Sequence, residues 1–342
     1  MTARTGRHAT AAEVAEVLSR PGERFVVTSH HNPDGDALGS MLGVGRALRA
    51  AGQDVVLAHA DAPDLPDDIA FLLAEGEEIR PDLPGDVGER VLVAVDCATE
   101  RRMWAEPVHE RAREIVNIDH HQDNTMFGDL NLVEPLASST AEVITGVLDA
   151  AGWPLTREVA EPLYVGLVTD TGRFGYTNTR PAAHRVAAAM IEAGVDIAGI
   201  SRRLYEEQPL ERLLLVGRAL EHARPLAGGR MLASVITRAD FAAAGGNDTE
   251  GIVEILRGVR GMRAAALVSE AGPEGSWRVS LRSVDPDVDV SAIARDEGGG
   301  GHRAAAGFST RRPPEELLAW LDARIGERLD ELAAADPNGA GG

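Results

Sequence analysis

The stretch Arg24-Phe-Val-Val-Thr-Ser-His-His-Asn-Pro-Asp-Gly-Asp36 decides the fold. Its first part, Arg24 to Ser29, is apolar and β-branched with no helical period, and reads as a buried strand. Its second part sets Pro33 and Gly35 among acidic and imidazole side chains and reads as a loop. A helical pattern follows from about Ala37 to Ala51, then a second strand at Asp54 to Ala58. Two further apolar runs also end in a carboxylate: Val91 to Asp96 and Glu114 to Asp119. Short strands alternating with helices predict an α/β fold with a parallel, doubly wound sheet.

Helical patterns dominate the next stretch, at about Ser139 to Ala151, Arg157 to Thr169 and Pro181 to Ala193. One long helical run, about Ile197 to Ala223, contains Pro209 and a charged segment and reads as a connector. A second set of elements follows: strand Met231 to Thr237, helix Thr249 to Gly258, and strands Ala264 to Glu270 and Trp277 to Ser283. The glycine run Gly298 to Gly301 and a terminal helix from about Pro313 to Ala335 complete the chain. The expected organisation is a metal-binding domain at 10–195, a connector at 196–224, a smaller α/β domain at 225–335 and a disordered tail at 336–342. The active site is expected in the cleft between the domains.

Composition narrows the function. At 342 residues, with 44% hydrophobic and 26% charged residues, the chain has material for two ordinary cores. One cysteine, Cys97, excludes an internal disulfide. The N-terminal residues carry no apolar signal-peptide run and no stretch is long enough to span a membrane, so the expected location is the cytoplasm. Acidic residues outnumber basic ones 54 to 34, a formal charge of -20, and no Lys/Arg run is present. Tracking a long nucleic acid calls for a basic surface. The charge therefore favours a small phosphorylated ligand, provided bound cations invert the local field.

Asp and His residues recur where apolar runs end: His30, Asp34 and Asp36; Asp96; Asp119, His120 and His121; and Asp170. In an open parallel sheet the carboxyl ends of the strands face one crevice. Each cluster has a bland explanation. A lone Asp after a strand caps a helix, Asp34 and Asp36 sit in a turn composition, and a His-His pair alone is weak. Their coincidence is what argues for a site. Carboxylates gathered without counter-charge repel one another, and divalent cations relieve that. Mixed imidazole and carboxylate donors suit manganese, iron or cobalt rather than a closed thiolate zinc site. Two such ions could bracket a bridging water and hold phosphoryl oxygens for in-line displacement.

At these residues the sequence resembles the DHH phosphoesterase superfamily, named for a triplet that here is Asp119-His120-His121. The other matching motifs are His30-x-Asn-Pro-Asp-Gly-Asp36, Asp96, Thr169-Asp-Thr-Gly-Arg-Phe174, and the run Gly298 to Gly307, which resembles the DHH-associated C-terminal domain. The resemblance implies one metal held by His30, Asp34 and Asp96, and a second held by Asp36, Asp96, His120 and Asp170. It implies two divalent ions, manganese on family grounds, with cobalt, magnesium or iron as alternatives. His121 would face the substrate phosphate, and Asp119 would orient His120. Gly299, Gly300, Gly301, His302 and Arg303 would contact substrate, with Arg282 and Arg173 as phosphate forks.

Within the superfamily, length and domain plan resemble the oligoribonucleases that also dephosphorylate 3′-phosphoadenosine 5′-phosphate. The implied partners are short RNA oligonucleotides or small nucleotides, not long duplexes or membranes; the oligomeric state is open, and the apolar helices between 181 and 220 could form a homodimer contact. Hydrolysis of cyclic diadenylate or of linear dinucleotides is the alternative activity. A non-catalytic nucleotide-binding regulator is the alternative of another class; every implied metal ligand is nevertheless present.

Overall fold

The computed structural model describes residues 6–62, 65–103, 108–270, 275–285 and 287–335, apart from the side chains of 67, 68, 109, 302 and 335. The segment 336–342, expected to be a tail, lies outside the described residues. The chain divides into two compact units, Met1–Glu207 and Gln208–Gly342.

In the first unit, strands β1 (Arg7–His8), β2 (Arg24–Thr28), β3 (Asp54–Ala58), β4 (Ile79–Arg80), β5 (Val91–Val95), β6 (Glu114–Asp119) and β7 (Leu130–Val133) form one sheet. Its order is β1-β7-β6-β5-β2-β3-β4, and every neighbouring pair is parallel. The helices are α1 (Ala11–Leu18), α2 (Gly35–Ala50), α3 (Asp67–Ala70), α4 (Thr140–Ala151), α5 (Arg157–Asp170), α6 (Pro181–Glu192) and α7 (Ile197–Tyr205). Successive strand residues face opposite sides. Phe25, Val27, Val91, Val93 and Val95 pack with the helices. Val26, Leu92, Ala94 and Ile115 meet Leu83, Val87, Met103 and Phe127, from loops and short 3-10 turns, on the other side. Burial on both faces is why these strands read as unbroken apolar runs rather than alternating ones.

The order of the sheet reverses beside β2: β3, next in sequence, pairs on one side and β5 on the other. The carboxyl ends of β2 and β5 therefore bound the topological switch point. Helices α2 and α5 run antiparallel in close contact. A Cβ on Gly39 would stand 2.2 Å from the Pro162 carbonyl oxygen, so only glycine permits the approach. That packing sets the N-terminus of α2 against the C-terminus of α5, at the carboxyl end of the sheet.

The second unit opens with α8 (Leu210–Glu221), so the long helix expected from Ile197 to Ala223 is two helices. Pro209 separates them: proline lacks the donor that a helix interior requires and disfavours the helical conformation of the residue before it. Strands β8 (Arg224–Leu226), β9 (Met231–Ile236), β10 (Ala264–Ser269), β11 (Trp277–Ser283), β12 (Gly300–His302) and β13 (Ala305–Thr310) form a mixed sheet of order β12-β13-β11-β10-β9-β8. Of its pairs only β9 with β10 is parallel. Helices α11 (Val290–Asp296) and α12 (Pro314–Ala335) cover one face. Helices α8, α9 (Arg238–Ala244) and α10 (Ile252–Arg257) cover the other.

Candidate metal centre

The loop after β2 brings the first donors to the switch point. His30 is buried, and its Nδ1 sits 2.9 Å from the His31 carbonyl oxygen, where it donates. That leaves Nε2 as a lone-pair donor, 3.3 Å from Asp96 Oδ2. Asp34 is the N-cap of α2, its Oδ1 accepting from the Asp36 and Ala37 amides at 3.0 Å each. Capping and ligation are thus compatible here: the cap occupies one oxygen of an exposed carboxylate.

Asp36 is buried, and its carboxylate takes the first amides of α4: Thr140 N–H at 2.6 Å and Ala141 N–H at 3.0 Å. Asp96 follows β5 with a left-handed backbone, φ 56°. Its Oδ1 accepts from the Thr140 hydroxyl at 2.8 Å and lies 3.7 Å from His120 Nε2. Asp170, the last residue of α5, places Oδ2 3.6 Å from the same Nε2. The structure thus brings together His30, Asp34, Asp36, Asp96, His120 and Asp170. Donor atoms of His30, Asp34 and Asp96 lie within 4.8 Å of one another, as do those of Asp36, His120 and Asp170, and of Asp96, His120 and His121. Each set could hold a cation.

The electrostatics fit such cations. Among the described residues, the ion pairs of Asp96 and Asp170 are with histidines alone, and Asp34 and Asp36 make none. Burial, reinforced by the charges of Asp96, Asp170 and Asp34, pushes the Asp36 carboxyl well above its ordinary range. Burial likewise lifts Asp170 to about 6, with His120 opposing it. At Asp96 burial also acts upward but is outweighed by the His30 hydrogen bond and charge, leaving it lowered. Hard, oxygen-rich donors with surplus negative charge are a divalent-cation set.

The Asp119-His120-His121 triplet divides its labour differently from expectation. Asp119, fully buried, accepts from the His121 ring, Oδ1 to Nδ1 2.7 Å, and from the His120 amide at 2.8 Å. The ring it orients is that of His121; His120 Nδ1 rests on the Ala137 carbonyl at 3.3 Å instead. A strand-end carboxylate reaches back along the turn to the second residue after it, a geometry the triplet's letters do not reveal. The Asp119 hydrogen bond, against the cost of burial, raises His121 to about 9. The His121 side chain remains partly exposed.

Several supporting residues carried no assigned role in the sequence. Asn124 donates to Asp119 Oδ2 at 2.5 Å and to the Cys97 carbonyl at 3.0 Å. The segment Ser138 to Glu142 proves to be the N-terminus of α4, with Ser139 as its cap. Buried His59 donates from Nε2 to the His30 carbonyl at 2.8 Å. Asp61 takes the Asn32 amide at 2.6 Å and faces the His31 ring at 3.2 Å, which turns His31 away from the centre.

In the second unit, a cavity of ≈ 430 Å³ is lined by Gly300, Gly301, Arg278 and Ser280, among others. Gly301 has φ +134°, and a Cβ there would meet the Ala305 carbonyl at 2.6 Å. The glycine run is therefore an edge strand in close pairing rather than a free turn. The His302 side chain lies outside the described residues; Arg303 is exposed and its carbonyl accepts from the Val290 amide at 2.9 Å. The two arginines expected as phosphate forks both have partners within the chain. Arg282 pairs with Glu254 of α10 at 2.6 Å, while Arg278, on the same face of β11, lines the cavity. Arg173 lies over the Tyr205 ring, 4.7 Å from its centroid, outside the donor cluster.

Fold and site together define a metal-dependent phosphoester hydrolase. Residues 24–167 match the model of the DHH family N-terminal domain, and residues 229–330 match the DHHA1 domain. The chain belongs to the DHH family. It is 34% identical over 300 residues to the bifunctional oligoribonuclease and PAP phosphatase NrnA of Thermus thermophilus, covering 87% of each chain. It is 28% identical over 318 residues to the protein of the same name from Bacillus subtilis, covering 91% of this chain and 95% of that one. The crystal structure of an exopolyphosphatase-related protein from Bacteroides fragilis shares the fold, with a TM-score of 0.84 at 23% identity over 94% and 97% of the chains. Among the described residues no helix is long and apolar enough to cross a membrane.

Proposed function

We propose that the chain hydrolyses short oligoribonucleotides to mononucleotides and removes the 3′-phosphate of 3′-phosphoadenosine 5′-phosphate, using two divalent cations, manganese foremost. The observation that carries this reading is the position of Asp96. It stands between the His30–Asp34 donors and the Asp36–His120–Asp170 donors, within 3.3 Å of His30 and 3.7 Å of His120. In this reading one cation takes His30, Asp34 and Asp96, the other takes Asp36, Asp96, His120 and Asp170, and Asp96 serves both.

A bound cation pair supplies charge neutralisation at the phosphoryl oxygens and a nucleophilic water of lowered pKa. The remaining work falls to the chain's own groups. Thr140 and the first amides of α4 fix the Asp36 and Asp96 carboxylates, so the donors need little reorganisation. Asp119 holds the Nδ1–H of His121, which leaves Nε2 as the ring's second polar edge. That edge would donate to a phosphoryl or leaving-group oxygen. Within the second unit, Arg278, Ser280 and the amides around Gly300 and Gly301 offer donors suited to the oxygens of a nucleotide. The acidic surface favours short ligands over long strands.

A substrate panel in Mn²⁺ tests the reading: a diribonucleotide, a pentaribonucleotide, a 24-mer RNA, 3′-phosphoadenosine 5′-phosphate, cyclic and linear diadenylate, and pyrophosphate. Rapid release of mononucleotides from the two short RNAs, with little cleavage of the 24-mer, is expected. A clear preference for pyrophosphate or for cyclic diadenylate would overturn the substrate assignment.

A further inference from the structure

The first unit carries a cavity of ≈ 190 Å³ where α2, α3, α5 and α7 meet. Buried Leu72 and Ile200 give it apolar walls. Its charged lining is Arg46, Arg157, Arg202 and Arg203, against Glu161 and Asp196. In a chain of formal charge -20, four guanidiniums facing two carboxylates is a local reversal of sign. The cavity is separate from the metal centre: α5 runs 14 residues from Arg157 to Asp170, about 20 Å.

A role in the fold accounts for only one of the four arginines. Arg46 is fully committed, to Glu77 at 2.6 Å and to the Leu72 and Glu158 carbonyls at 2.5 and 2.9 Å. Arg157 and Arg202 each pair through Nε alone, with Glu161 at 2.7 Å and Glu207 at 2.9 Å. Their terminal nitrogens make no hydrogen bond among the described residues. Arg203 makes no ion pair there either; its guanidinium lies over the Phe71 ring, 5.2 Å from the centroid. The two carboxylates are themselves engaged, Glu161 by Arg157 and Asp196 by the Gly199 amide at 2.9 Å.

We propose that this cavity is a second, non-catalytic site that takes a phosphate group, borne by orthophosphate or by a mononucleotide. Three guanidiniums with uncommitted N–H groups converge on it, and their forked donors match phosphoryl oxygens in pairs. Apolar walls behind them concentrate the field that attracts an anion. Helices α5 and α7 both begin at the cavity, so their N-terminal partial charges add to the attraction. Size limits the occupant. The volume of ≈ 190 Å³ is below the roughly 300–1,000 Å³ of pockets that enclose a larger ligand, which admits a phosphate group but not an oligonucleotide. The site does not depend on the activity proposed above.

Calorimetric titration of the full chain in Mg²⁺ with orthophosphate, AMP and adenosine, at fixed ionic strength, is the test. The same titrations on Asp96→Asn separate this cavity from the metal centre. Orthophosphate, AMP or both should bind at a site that persists in Asp96→Asn, and adenosine should not. Arg202→Ala and Arg203→Ala should each weaken that binding about tenfold or more. Both variants should keep the wild-type thermal midpoint and initial turnover in phosphate-free buffer. Arg203→Lys, which keeps the charge but not the fork, should fall between wild type and Arg203→Ala. Loss of all phosphate binding in Asp96→Asn would overturn the proposal. So would an affinity indifferent to both arginine changes, or adenosine binding as tightly as AMP.

Discussion

Asp119 Oδ1 lies 2.7 Å from Nδ1 of His121, and this contact separates two neighbouring imidazoles into different roles. His120, lacking it, directs Nε2 toward Asp96 and Asp170. His121, bound by it, has its Nδ1 committed to Asp119 and lies 3.6 Å from Asp96 through that same atom. Replacing His121 with Ala should leave cation affinity within a few-fold of wild type while lowering kcat by about 10²–10³, the scale of one positioned proton donor. Calorimetric Mn²⁺ titration beside steady-state rates would check this. Loss of cation binding in that variant would instead make His121 a ligand.

Close packing of α2 on α5 holds Asp36 near Asp170. Gly39→Ala places a methyl group against the Pro162 carbonyl, a backbone atom that cannot swing aside. The substitution should cost ~1–3 kcal/mol of stability and weaken cation binding as well, because the donors ride on the two helices. Urea unfolding and Mn²⁺ titration of the same preparation would show both effects; an unperturbed midpoint would contradict the packing argument.

Away from the centre, Glu77 anchors half-buried Arg46 at 2.6 Å and Arg49 at 2.9 Å. Burial alone would raise the Glu77 carboxyl, but hydrogen bonds from Arg46 and the Ala74 amide, with the charges of both arginines, lower it below 4.5. A carboxylate with a lowered folded-state pKa stabilises fully above its unfolded pKa and loses that contribution as pH falls through the folded value. Glu77→Gln should therefore destabilise by ~1–3 kcal/mol at pH 7, and the gap to wild type should shrink below about pH 4. Denaturation midpoints at pH 7 and pH 3 would decide it; a gap independent of pH would sink the assignment.

The two β11 arginines make a matched pair. Arg278→Ala should raise KM for a diribonucleotide about tenfold with little change in kcat, as expected for loss of a contact made equally in the ground and transition states. Arg282→Ala, which breaks the pair with Glu254, should act mainly on stability. Equal effects of both on KM would contradict the division seen in the cavity.

Much of the centre was legible before the structure because each donor closes an apolar run or follows the loop after one. Strand ends in a parallel sheet are the one place where sequence position implies spatial convergence. His30, Asp34, Asp36, Asp96, His120 and Asp170 all follow that rule or sit at an adjoining helix end. What escaped depends on side-chain direction. Arg278 and Arg282 alternate identically along β11, and only the position of α10 decides which one is engaged. The partner of Asp119 turns on a reach of two residues, which the letters of the triplet leave open. The short helices α9 and α11 lack the length that makes a periodic signal, and the pairing of β12 hides behind glycines with no strand propensity. Pro209 was visible, but the apolar pattern on either side masked the break it makes.

The central claim is that Asp96 serves two cations at once, and one variant tests it directly. Asp96 has a left-handed backbone that Asn tolerates better than Ala, so Asp96→Asn should fold normally while losing the charge that two ions share. Mn²⁺ counted per chain by calorimetry should give two for the wild type and no tight site for Asp96→Asn, with turnover of the diribonucleotide abolished. A variant that kept two bound ions, or about a tenth of wild-type turnover, would contradict the account.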